Sequence, residues 1–114
     1  MTPLTYAILI ALADRERHGY GILKEVERQT EGRLSPGTGT LYAALQRLVE
    51  EGWIVDAPEA AEPDGDARRR YYALTRAGLE AVRIETRRLA RMVEVASEKA
   101  LISGLRLAGP IDDR

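Results

Sequence analysis

The spacing of apolar positions changes along the chain and marks out its elements. From Leu4 to Ala13 nearly every position is apolar, including Tyr6, Ala7, Ile8, Leu9, Ile10, Ala11 and Leu12. That predicts a helix without a solvated face, with Pro3 in its first turn and Thr2 as its N-cap. Asp14 to Arg17 follows as a charged turn. A second helix is expected to open at His18-Gly19-Tyr20-Gly21, turning Ile22, Leu23 and Val26 inward and Lys24, Glu25, Glu27 and Arg28 to solvent. It ends at Glu31-Gly32, with Gly32 as a left-handed cap. After Pro36-Gly37 a third helix runs to about Glu51. Leu41, Leu45 and Leu48 form its apolar back, and Gly52 closes it.

The period then shortens. Trp53-Ile54-Val55 reads as a strand and Arg69 to Leu74 as its return, with Tyr72 and Leu74 inward and Arg69 and Tyr71 outward. Between them lie two prolines and the turn signal Pro63-Asp64-Gly65, so the hairpin carries a long acidic tip (Glu59, Glu62, Asp64, Asp66). Thr75 is placed to cap a last helix, expected to reach about Ser103. Along it Leu79, Val82, Thr86, Leu89, Val93, Ala96 and Ala100 recur in steps of three and four, a heptad seam. Three helices, a hairpin and a helix predict a mostly α protein with a small β-hairpin. Residues 1–78 read as a winged helix-turn-helix domain and 79–108 as a C-terminal dimerisation helix. The seam would pack either on its own domain or on a second copy. A closed core of three helices and a hairpin favours the second copy, as does a first helix apolar on every side. The resulting homodimer would present two reading helices to a palindromic operator in double-stranded DNA.

Composition removes other classes. The 114 residues contain no Cys and one His, which leaves no disulfide framework and no Cys- or His-based metal cluster within one chain. With no phosphate loop and no motif placing a Ser-His-acid group, neither an enzyme nor a cofactor is expected. No apolar run is long enough for a membrane span, and the N-terminus lacks a basic leader with a cleavage site, so a cytoplasmic location is expected. The net charge of -1 speaks mildly against nucleic acid, but the distribution matters more. Arg68, Arg69 and Arg70 cluster, while the acids concentrate in the hairpin tip. Of the 17 basic residues only Lys24 and Lys99 are not arginine. That suits bidentate contacts, and equally a genome rich in G and C.

The front of the third helix carries the candidate chemistry. Small side chains at Gly39, Ala43 and Ala44 allow close approach to bases or to another helix. Ser35, Thr38 and Thr40 are placed to cap the helix or to hold phosphate at its N-terminus. The Tyr42 phenol would either donate to a phosphate or pack on the second helix. Gln46 and Arg47 match adenine and guanine edges, or else form a solvated face. Arg68 to Arg70 would face DNA phosphate, or pair with Asp64 and Asp66. His18 reads as a turn or capping residue before a pH sensor.

Four stretches together resemble the PadR family of transcriptional regulators: His18-Gly19-Tyr20-Gly21-Ile22, Ser35-Pro36-Gly37-Thr38-Gly39-Thr40-Leu41-Tyr42-Ala43-Ala44-Leu45, Glu50-Glu51-Gly52-Trp53-Ile54 and Arg70-Tyr71-Tyr72-Ala73-Leu74-Thr75-Arg76-Ala77-Gly78. The resemblance runs from about Leu4 to Gly78, and the last helix fits the short subgroup with one C-terminal helix. It implies a homodimeric winged-helix repressor that releases DNA when a small-molecule effector or stress signal reaches the dimer, with Tyr42 contacting DNA. The wing departs from the family pattern: its tip is acidic, so the base of the hairpin is expected to touch DNA. With no Phe, and Trp53 as the one Trp, an aromatic stacking pocket in the last helix is not expected. The competing reading is a winged-helix protein-interaction module that does not read DNA; a neutral, apolar third-helix face would favour it.

Overall fold

A computed structural model describes residues 1–57 and 70–100. The order is α1 (Pro3–Ala11), β1 (Arg17–His18), α2 (Gly19–Gln29), α3 (Thr38–Glu50), β2 (Ile54–Asp56), β3 (Tyr71–Leu74) and α4 (Arg76–Glu98). Two compact units divide the chain, Met1–Arg83 and the remainder from Ile84.

In the first unit α1 begins as expected. Thr2 Oγ1 accepts from the Thr5 amide at 3.0 Å, and Pro3 occupies the first turn, where no intrahelical donor is needed. Ala7, Ile8, Leu9, Ala11 and Leu12 are buried within the chain, while Leu4, Tyr6 and Ile10 are half-buried. Most of α1 therefore has cover without a second copy. The helix ends at Ala11, whose carbonyl accepts from Arg17 Nε at 2.7 Å. The same guanidinium reaches Asp14 at 3.3 Å and Glu25 at 3.9 Å.

Arg17 thus does not belong to a simple charged turn. Arg17 and His18 form a third strand, and the sheet order is β1-β3-β2, all antiparallel. Two residues are too short to show a period-two pattern; the strand exists because the edge of β3 offers it partners. His18 also caps α2, its Nδ1 accepting from the Gly21 amide at 3.1 Å. Ile22 and Val26 are fully buried. Glu25, expected in solvent, is half-buried, and it pairs with Arg28 at 2.6 Å. Both Glu31 (φ 53) and Gly32 (φ 80) adopt left-handed backbone after α2, so the exit takes two such residues rather than one.

Leu41, Ala44, Leu45 and Leu48 bury the back of α3 against this core. Gly52 (φ 79) turns the chain into β2. The register of the hairpin base pairs Ile54 with Leu74, Val55 with Ala73 and Asp56 with Tyr72. Tyr72 is 2% exposed and completes the core from the sheet.

Thr75 joins sheet, α3 exit and α4. Its hydroxyl donates to the Gly52 carbonyl at 2.6 Å and accepts from the Gly78 amide at 3.0 Å. Its amide donates to the Trp53 carbonyl at 3.1 Å. A Cβ on Gly78 would overlap that Trp53 carbonyl, so only glycine lets α4 lie this close. Leu79 and Val82 then pack on the unit's own core.

Beyond Ile84, α4 is solvated, with ion pairs Arg88–Glu85 at 2.7 Å and Arg91–Glu94 at 3.2 Å. Ile84, Met92 and Val93 are more than half exposed; Leu89 and Ala96 are half-buried. The helix ends at Glu98, short of the expected Ser103. Ala100, assigned to the seam, therefore sits past the helix, in left-handed backbone (φ 60).

Candidate nucleic-acid interface

The outward surface of α3 is small and polar. Gly37 precedes the helix without any side-chain cap, so the first-turn amides of α3 have no side-chain acceptor. Neither Thr38 nor Thr40 fills that role, and both are exposed. Ser35 is also exposed, but its hydroxyl donates to Glu27 Oε2 at 2.6 Å. It pins the loop to α2 instead of capping α3. The capping alternative for these three hydroxyls is therefore not realised.

Tyr42 is 45% exposed, and its phenol end lies directly over Gly19 at the first turn of α2. The packing alternative for this side chain is the one realised within the chain. It rests on α2, as packing requires, and still presents much of its ring to solvent. Gly19 is the seat: any side chain there would occupy the phenol's place. Gln46 and Arg47 lie exposed farther along α3. Gln46 Nε2 donates to Glu50 at 3.2 Å, whereas Arg47 has no ion pair among the described residues. Next to Gly19, Tyr20 is exposed and carries the Lys24 ammonium 5.3 Å from its ring centroid, which adds a cation on the first half of α2.

The hairpin contributes Arg70. Arg68, Arg69 and the acidic tip, including Asp64 and Asp66, lie outside the described residues. Arg70 pairs with Asp56, a partner the sequence did not single out. Its Nη2 reaches Oδ1 at 2.8 Å and Oδ2 at 3.0 Å, and its Nε reaches Oδ1 at 3.2 Å. The register explains the pairing: Asp56 stands opposite Tyr72, two residues along β3 from Arg70. The guanidinium also lies 5.4 Å from the Tyr72 ring centroid. Its pKa is raised above the ordinary value, chiefly by the hydrogen bond to Asp56, then by the charges of Tyr72, Asp56 and Tyr42. Burial pushes the Tyr72 phenol up.

This arrangement leaves Tyr42 exposed near the open N-terminus of α3, with Gln46 and Arg47 farther along the same helix, and sets Arg70 on Asp56 at the base of the hairpin. Of the residues assigned to dimerisation, Leu79 and Val82 belong to the domain core, Leu89 and Ala96 are half-buried, and Val93 is exposed. Gly19 and Asp56 escaped sequence reasoning. A glycine next to an aromatic helix start and an acid in the strand facing an arginine are visible signals, but only the fold shows which pairs meet. Among the described residues no group of His, Cys, Asp or Glu could hold a metal ion, and no helix is long and apolar enough to cross a membrane.

The model of the transcriptional regulator PadR-like family matches residues 8–84. A 37.1 kDa protein of transposon Tn4556 from Streptomyces fradiae is 36% identical over 95 residues, 82% of this chain and 25% of that protein. The transcriptional regulator YqjI of Escherichia coli is 30% identical over 91 residues, 80% of this chain and 41% of that protein. The chain thus spans well under half the length of both relatives. Among solved structures, that of Bacillus subtilis PadR in complex with operator DNA superposes with a TM-score of 0.63 at 25% identity. The match covers 75% of this chain and 47% of that one.

Proposed function

We propose that this chain, which belongs to the PadR-like family of transcriptional regulators, is a homodimeric repressor. It acts in the cytoplasm, binds a palindromic operator sequence-specifically and is released by a small ligand or stress signal. The observation that carries DNA binding is the uncapped start of α3, with the exposed Tyr42 one turn along the same helix. A helix start with free amides favours a phosphate. The Tyr42 phenol donates to a neighbouring phosphate and sets the register. Gln46 and Arg47 then reach base edges, and the short side chains of Gly39 and Ala43 let the helix come close. The exposed face is polar, which suits DNA better than the apolar patch a protein-docking module would present. The structure of the Bacillus subtilis protein on its operator supports the same assignment.

Dimerisation is assigned to α4 beyond the core, where Ile84, Met92 and Val93 stay exposed in a single chain. Two reading helices related by a two-fold axis suit half-sites about one DNA turn apart. The test is selection of duplexes from a random-sequence pool by the purified protein, followed by footprinting. Enrichment of an inverted repeat, weakened by Tyr42→Phe and by Gln46→Ala, is the expected result. Enrichment of no duplex would overturn the reading.

A further inference from the structure

The pair Asp56–Arg70 is built differently from an incidental surface ion pair. The carboxylate takes the guanidinium side-on, through Nε and Nη2. Tyr72 lies against the same group, and Tyr72 is itself fixed in the core. An arginine held on one edge and beside an aromatic ring is biased toward one orientation. Its remaining edge, with Nη1, has no partner among the described residues. Side-chain exposures of 57% for Arg70 and 53% for Asp56 leave the pair accessible to solvent.

From this geometry we infer that Asp56 is a specificity-determining residue, which positions the Arg70 fork for one backbone phosphate while cancelling its net charge. The inference rests on the reading of α3 and the hairpin base as the DNA face. Phosphate attraction that depends on charge alone is shared by every sequence. A neutralised arginine adds little to it. A hydrogen bond from a fixed fork is directional, and forms only where the duplex places a phosphate oxygen in line. Asp56 therefore lowers the affinity for arbitrary DNA more than the affinity for the operator.

The experiment compares the dimer as it exists with Asp56→Asn, Arg70→Ala and the double variant. Each is titrated on the duplex enriched from the random pool and on poly(dI-dC), at several salt concentrations. Asp56→Asn should tighten binding to poly(dI-dC) about two- to fivefold, the scale of a freed surface charge, and steepen its salt dependence by about one unit. The ratio of specific to non-specific affinity should fall by about the same factor. In the Arg70→Ala background the added Asp56→Asn change should leave that ratio where it was. Equal tightening on both duplexes, or the same gain without Arg70, would mean that Asp56 only repels phosphate, and overturns the inference. Unchanged affinity in Arg70→Ala removes Arg70 from the interface and overturns it too. If the unaltered protein enriches no duplex, the DNA reading fails first and the inference falls with it. The pair is exposed, so the variants should fold, and circular dichroism checks that they do.

Discussion

Replacing Gly78 by alanine is expected to destabilise the protein, although a helix ordinarily gains from that change. Helix propensity alone favours alanine by about 0.5–1 kcal/mol. The added Cβ, however, would overlap the Trp53 carbonyl oxygen, lie 2.9 Å from its carbon and 3.2 Å from Leu74 Cδ2. The first two neighbours are backbone, so they cannot swing away. Relief needs α4 and the β2 turn to move apart by roughly an ångström. That strains the Thr75 amide bond to Trp53 and the Thr75 hydroxyl bond to Gly52, each worth about 0.5–1.5 kcal/mol. It also loosens the seating of Leu79 and Val82 in the core. Overpacking of this kind costs about 1–3 kcal/mol. The balance is a net loss of about 1–4 kcal/mol, or at least about 4 °C in Tm for a domain of this size. Urea and thermal unfolding followed by circular dichroism, at one fixed protein concentration, measure it. A Gly78→Ala variant as stable as the parent would show that the close approach does not constrain the joint.

Gly19→Ala should behave in the opposite way. The nearest atoms its Cβ meets all belong to the Tyr42 ring end, which can rotate off, so stability should change by less than about 1 kcal/mol while operator affinity falls as it does in Tyr42→Ala. A binding titration that finds unchanged affinity would separate Tyr42 placement from DNA binding. His18→Ala removes the α2 cap and should cost about 0.5–2 kcal/mol in denaturant melts, with His18→Asn recovering most of it. Val93→Glu lies on an exposed position of the single chain and should leave unfolding of the domain core unchanged. In a dimer it would bury a charge at the seam, at about 3–5 kcal/mol. Sedimentation should therefore shift to monomer; an unshifted profile would move the dimer contact elsewhere.

Much of the fold was legible because its elements announce themselves locally. Thr2-Pro3 and Thr75 cap where their side-chain chemistry says they should, and Leu41, Leu45 and Leu48 share one helical face that is buried. What escaped depends on pairing across the chain. Arg17 reads as one more charge in a charged turn until β3 is placed beside it. Asp56 and Arg70 meet only through the register that sets Asp56 against Tyr72. At the site, Tyr42 stood out as a phenol on a polar helix front. Its seat on Gly19 depends on how closely α2 and α3 pack, which no spacing rule carries. The heptad seam shows the limit of periodicity. The same three-and-four step that could face a second copy places Leu79 and Val82 in the domain's own core.

The two-residue strand β1 has a consequence for how the domain assembles and opens. The contacts between α1 and α2 are local and can form early, whereas Arg17 meets Tyr72 only after the loop through α3 and the hairpin has closed. That late, non-local step carries the entropic cost of a long loop and should set the folding rate. On opening the order reverses. With so few ladder bonds to hold it, the β1–β3 seam should release first, and its amides should exchange with deuterium well before those of α1 and α3. Arg17 would leave with it, freeing the last carbonyl of α1. The earliest excursion from the native state would therefore loosen the N-terminal helix and the hairpin base together, while the apolar back of α3 stayed buried.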